Sequence, residues 1–150
     1  YTYAKRSGHG GYLTREFFTR VAAAMGDQVI MIMASHEDSA VAAALYFRST
    51  ETLFGRYWGC EQEFDCLHFE ACYYRGIEYC IEQGIKRFDP GAQGEHKIQR
   101  GFRPVATFSN HWIADPALSA AVADFTRRER PHTEAYKKDA ESLLPFKQAT

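Results

Sequence analysis

Cys66-Leu67-His68-Phe69-Glu70-Ala71-Cys72-Tyr73-Tyr74-Arg75-Gly76-Ile77-Glu78-Tyr79-Cys80-Ile81-Glu82-Gln83-Gly84, followed at once by Ile85-Lys86-Arg87-Phe88, decides the fold of this chain. At about 100° per residue, Leu67, Phe69, Tyr73, Tyr74, Gly76, Ile77, Cys80 and Ile81 fall on one half of the helical wheel. His68, Arg75, Tyr79, Glu82 and Gln83 fall on the other. The pattern predicts an amphipathic helix from Cys66 to Gln83, stopped by Gly84. Ile85 to Phe88 then reads as a short strand. A helix of this length between two strands is the crossover that a parallel βαβ unit needs.

Toward the N-terminus, Thr52 to Trp58 and Val41 to Arg48 have strand-like length and aromatic content. Ala42-Ala43-Ala44 in the second of these also suits a helix. Val29-Ile30-Met31-Ile32-Met33-Ala34 is a continuous apolar run that predicts a strand covered on both faces. His36-Glu37-Asp38-Ser39 is a polar turn, so the short connections predict an antiparallel meander of three strands. Before it, Thr14 can cap a helix carrying Phe17, Phe18, Val21 and Met25 at helical spacing, with Gly26 as a left-handed stop. Ser7-Gly8-His9-Gly10-Gly11 reads as a loop by its glycine content.

Toward the C-terminus, Asp89-Pro90-Gly91-Ala92-Gln93-Gly94 is a loop, Glu95 to Gly101 fits one or two helical turns, and Pro104 to Trp112 reads as a strand. Asp115-Pro116 is a helix start with proline at the first helical position. Leu118, Ala121, Val122 and Phe125 would line its buried face. Arg127, Arg128 and Arg130 crowd its last turn, and Pro131 should end it. A final helix, Thr133 to Leu144, precedes Pro145 and a polar tail. The expected class is therefore mixed α/β, a mostly antiparallel sheet of about five strands flanked by helices.

A chain of 150 residues is one domain by length. The opening Tyr1 to Gly11 reads as text from the middle of a protein, so the chain is expected to be the C-terminal part of a longer one. Its 18 Lys and Arg nearly cancel its 19 Asp and Glu, which argues against a general polyanion-binding surface. No apolar run reaches membrane-spanning length, and no signal peptide is visible. Cys60, Cys66, Cys72 and Cys80 lack C-x-x-C spacing, so reduced thiols in a cytoplasmic protein are expected over zinc or disulfides.

Two features suggest chemistry. On the wheel Glu70 projects from the middle of the apolar face, between Ile77 and Ile81 in angle. A carboxylate there must pair with a cation, accept hydrogen bonds, or keep its proton. It is either a buried ion pair with Arg56, Arg87 or Arg103, or a general base for an amine. The second feature is the run from Phe88 to Phe102. Gly91, Gly94 and Gly101 let the backbone approach a ligand, and Lys97, Arg100 and Arg103 add positive charge beside His96. Such a loop suits a phosphate or a developing oxyanion, or else simply turns at the surface. It is not a Walker loop, because no Ser or Thr follows the lysine. His68 with Cys72, and Glu95 with His96, lack metal-ligand spacing. Cys60 and Cys66 as nucleophiles show no obvious orienting pair of His and acid in the sequence.

Gly55-Arg56-Tyr57-Trp58-Gly59, Leu67 to Tyr74, and Gly91 to Pro104 together resemble the FemAB-like family of predicted N-acyltransferases, labelled for peptidoglycan biosynthesis or recognition and part of the wider GNAT superfamily. The resemblance runs from about Gly11 to Pro145. It implies a GNAT-like fold in which two splayed strands, here Thr52 to Trp58 and Ile85 to Phe88, form the acyl-donor cleft with the helix between them. Lys97-x-x-Arg100-Gly101-Phe102 resembles the Phe-Lys-x-Gly-Phe signature of Fem transferases, whose lysine stabilises charge at the reacting centre. On this resemblance Glu70 is the candidate base, Lys97 or a loop N–H the oxyanion donor, and Gly91, Gly94, His96, Arg100 and Gly101 hold the donor's phosphates. The implied cosubstrate is an acyl-CoA, with an aminoacyl-tRNA as alternative, and no tightly bound cofactor. The implied partners are an amine or peptidoglycan-precursor acceptor and the rest of the polypeptide, with a homodimer through the sheet edge as another arrangement. The rival is a non-catalytic module of the same fold that recognises a cell-wall precursor or a protein.

Overall fold

The computed structural model describes Thr2, Gly8, Gly11 to Ala92 and Gly94 to Phe146. Most of the opening glycine loop, Gln93 and the polar tail lie outside the described residues. The chain forms two compact units, Tyr1–Ala92 and Gln93–Thr150.

The first unit is built on a four-stranded sheet in the order β1-β2-β3-β4. Helix α1 (Arg15–Met25) leads in; the Thr14 hydroxyl accepts from the Phe17 amide at 3.3 Å, and Gly26 closes it at φ 51°. Strands β1 (Val29–His36), β2 (Ser39–Arg48) and β3 (Thr52–Cys60) form the expected antiparallel meander. Glu37 and Asp38 both take positive φ, the backbone of the two-residue turn whose twist matches paired strands. The alanine run resolves as strand, because Ala42 and Ala44 pack under the sheet. β1 departs from expectation. It is the outermost strand of the described sheet, with Met31 and Met33 on an exposed face and Ile30 and Ile32 turned toward the core. A strand at one end of a sheet can thus carry an apolar run without being covered twice.

The crossover follows the sequence closely. Leu67–Phe69, Glu70–Tyr74 and Arg75–Glu82 run on as one helix, α2, and Gly84 turns the chain at φ 65°. β4 (Arg87–Asp89) then pairs parallel to β3, Thr52 with Arg87, Leu53 with Phe88 and Phe54 with Asp89. Glu51 reinforces this pairing through Lys86 at 2.7 Å and Arg87 at 3.4 Å. The core gathers Ala44, Tyr46, Leu53, Ala71, Cys80 and Ile85 between sheet and helix. All four cysteines are free thiols.

The middle of α2 is a π-helix, Glu70–Tyr74, in which the Arg75 amide donates five residues back to the Glu70 carbonyl. In an α-helix residues five apart point about 140° apart; in a π turn they stack. Ala71 is thereby aligned with Gly76 on the buried face. Glu70 moves off that face to stand over Arg75, its carboxylate 3.9 Å from the guanidinium and its side chain 54 % exposed. The acid expected in the apolar stripe is in fact a surface acid. Ile81, expected beside it, is exposed as well.

In the second unit a 3-10 turn (Glu95–Arg100) leads into a stretch without regular structure and then helix α3 (Pro116–Ser142). The cap is as read, with Asp115 Oδ1 accepting from the Leu118 amide at 2.7 Å and proline in the first turn. Three expectations here are corrected. Pro104 to Trp112 pairs with no strand among the described residues, and Val105, Phe108 and Trp112 stand exposed. The described sheet accordingly has four strands, not five. Pro131 does not end the helix. A buried proline would leave a carbonyl stranded, but here the chain is exposed, the His132 ring lies 3.2 Å from the Arg128 carbonyl, and Asp124 ties Arg127 and Arg128 just before the proline. Leu118, Val122 and Phe125 are exposed, and the helix's buried residue is Ala140. No described helix is long and apolar enough to cross a membrane.

Candidate functional site

Proline shapes the first unit's cleft. β3 and β4 pair for three residues, after which β4 ends at Asp89 while β3 continues to Cys60. Pro90 has no amide to extend the ladder, and the Gly91 amide folds back onto Asp89 Oδ1 at 2.9 Å. Gly55 faces the departing chain, where a Cβ would lie 3.5 Å from the Pro90 Cα. On its other side β3 carries a bulge. Leu45 pairs with Tyr57 and Tyr46 with Gly55, so Arg56 is the extra residue. A bulge leaves one residue out of the ladder and bends its strand. Between the parting strands lies a cleft of ≈ 110 Å³, walled by Gly55 to Trp58, Pro90 and the His68, Cys72 and Tyr73 side of α2.

The π turn supplies that helical wall. Tyr46, fully buried on β2, donates its hydroxyl to the Ala71 carbonyl inside the turn. Burial first, then the neighbouring Cys72, Tyr73 and Cys80, pushes its phenol far above the usual tyrosine range, so it stays a donor. Gly76 lets the helix sit close, since a Cβ there would come within 2.7 Å of the Phe88 ring. The His68 imidazole is set among three rings, edge-on to Trp58 at 5.4 Å, Phe69 at 5.4 Å and Tyr73 at 5.6 Å. A second recess of ≈ 340 Å³ lies beyond Trp58 and His68, bounded by Cys60 and by Gln62 to Leu67.

On the wheel His68 lies opposite the apolar face, where a helical histidine is expected to be solvated. The signal that could have found it is Trp58 on the neighbouring strand, an aromatic wall for the ring. Glu70, the expected base, is not among the cleft's walls. Gly91 turns the chain just after Pro90. Lys97, Gly94, His96, Arg100 and Gly101 gather on the 3-10 turn of the second unit. Gly94 and Gly101 take φ of 103° and 88° there, and Arg100 Nη1 donates to the His96 carbonyl at 2.8 Å. Lys97 is buried, 9 % exposed, and so is not held out to solvent. The Tyr136 hydroxyl of α3 fastens the turn to the helix by donating to Glu95 at 2.9 Å.

His96 titrates below the ordinary imidazole value of 6.5, because burial and then the charges of Lys97 and Arg100 oppose its proton. The unfolded chain therefore takes up that proton at higher pH than the folded one, so this contribution to stability is intact above 6.5 and is lost as the pH falls below it. Urea titrations across that range should show the wild type weakening more steeply on acidification than His96→Gln. Parallel pH slopes would remove the assignment.

Over residues 1–148 the chain matches the family named FemAB-like and described as peptidoglycan biosynthesis/recognition. No curated protein and no solved structure matches it.

Proposed function

The chain belongs to the FemAB-like family of peptidoglycan biosynthesis or recognition, and from that premise we propose that it is an N-acyltransferase of GNAT-like fold. It moves an acyl or aminoacyl group from an activated donor to the amine of a cell-wall precursor. The observation that carries this reading is the cleft where β3 leaves β4, with a bulged backbone at Arg56 on one side and His68 on the other. An acyl chain lying in such a slot has its carbonyl beside backbone that the ladder does not use, the kind of donor that stabilises a developing oxyanion. His68 takes the role first given to Glu70, accepting the proton that the attacking amine must lose. Positioning does the rest, since aminolysis of an activated carbonyl needs little more than aligned reactants.

The favoured donor is an acyl-CoA. A chain with a net charge of −1 offers little of the broad positive field that carries a tRNA. Thermal shift against acetyl-CoA, longer acyl-CoAs and free CoA tests this. A donor at a hundred times its dissociation constant should stabilise the fold by about 2.7 kcal/mol. Gly55→Val, whose branched side chain would close the gap against Pro90, should abolish the shift while leaving the far-UV spectrum intact. A full shift in that variant places the donor outside the cleft. No shift with any thioester, together with binding of a peptidoglycan precursor and no transfer, would turn the reading to a recognition module.

A further inference from the structure

Two recesses lie end to end along β3 and share one wall. The first runs from Gly55 and Pro90 to Trp58 and His68; the second starts at the same Trp58 and His68 and runs on past Cys60 to Glu63 and Asp65. Gly55 to Cys60 is about 17 Å of strand, so the outer ends are well apart while the wall between them is common. Their chemistry differs. Among the described residues lining the second recess none is Lys or Arg, and its charged groups are the carboxylates Glu63 and Asp65 beside the rings of Trp58 and Phe64. Carboxylates and an indole attract a cation and repel a phosphate. The recess thus does not suit the phosphates of a donor.

Resting on the acyl-transfer reading above, we propose that this second recess seats the acceptor as an alkylammonium and delivers its nitrogen to His68. Amine and donor then approach the shared wall from opposite ends and never compete for one entrance. The ammonium gives one proton to the His68 imidazole, which frees a lone pair on nitrogen. That pair forms the carbon–nitrogen bond at the acyl carbon. The carbon–sulfur bond of the thioester breaks with its electrons on sulfur, and the thiolate takes the second amine proton. The products are an amide, a thiol and a protonated His68, which returns its proton to water.

Trp58 can report the event directly. The chain has two tryptophans, so Trp112→Phe leaves Trp58 alone. In that background n-pentylammonium should change the fluorescence saturably, and neutral 1-pentanol should not. Glu63→Gln with Asp65→Asn, both surface isosteres, should weaken the ammonium response by about tenfold while the acetyl-CoA thermal shift is unchanged. An equal response to pentanol, an unweakened response in the double variant, or no response at all overturns the proposal. The titration contains no donor. If it behaves as expected while no thioester is ever turned over, the ammonium recess stands and the transfer reading falls.

Discussion

Replacing His68 with asparagine is expected to lower kcat for acyl transfer by about 10²–10⁴-fold, the usual worth of a positioned proton acceptor. Asparagine keeps a polar side chain of similar reach in the ring-lined site formed by Trp58, Phe69 and Tyr73, but it cannot take a proton from an amine. The donor should bind nearly as before, because asparagine still fills the His68 wall and Gly55 and Pro90 at the other end of the cleft are unchanged. The signature is therefore a fall in kcat with the acyl-CoA thermal shift preserved. A variant that turns over normally removes the imidazole from the chemistry. Glu70→Gln serves as the control. Its carboxylate faces Arg75 and solvent, and the same assay should register no comparable loss.

Tyr46→Ala is expected to destabilise the chain by about 3–5 kcal/mol, the range for truncating a buried aromatic. That is a large share of the roughly 5–15 kcal/mol that holds a domain together. Tyr46 is 1 % exposed, packs its ring at a tilt against Phe88 with centroids 5.9 Å apart, and donates to Ala71. Tyr46→Phe separates these contributions. It keeps the ring and leaves the Ala71 carbonyl without its hydroxyl donor, for about 1–3 kcal/mol. Urea unfolding of both variants checks the ordering. If the phenylalanine variant is as stable as wild type, the hydroxyl does not hold the π turn, and ring packing alone accounts for the alanine result.

What could be read from the residues was whatever depends on neighbours along the chain. Thr14 and Asp115 as caps and Gly26 and Gly84 as stops are set within a few positions, and the crossover between β3 and β4 follows from the period and length of the helix that joins them. Glu70 was misplaced because a wheel assumes one angular step throughout, and the π turn changes the step at that residue. Pro131 was overread, since the cost of proline depends on whether the freed carbonyl is buried, which local sequence does not state. Met31 and Met33 looked internal because an apolar run does not reveal whether its strand sits in the middle of a sheet or at one end. A cleft between β3 and β4 was expected only from the family resemblance, and nothing in the residues' own pattern pointed to it. Its walls were not legible either, because His68 meets Trp58 across some ten residues of intervening chain. The burial of Lys97, against its charge, likewise comes from packing.

The π turn also makes chain length a variable in its own right. Five residues complete a turn there where about four normally would. Deleting any one of them could restore an ordinary helix whose C-terminal half stays docked through Gly76 and Cys80. The end bearing the imidazole would then swing by roughly a quarter turn. Such a shortened protein would be folded and empty-handed, so spacing, as much as residue identity, is what this helix has to conserve.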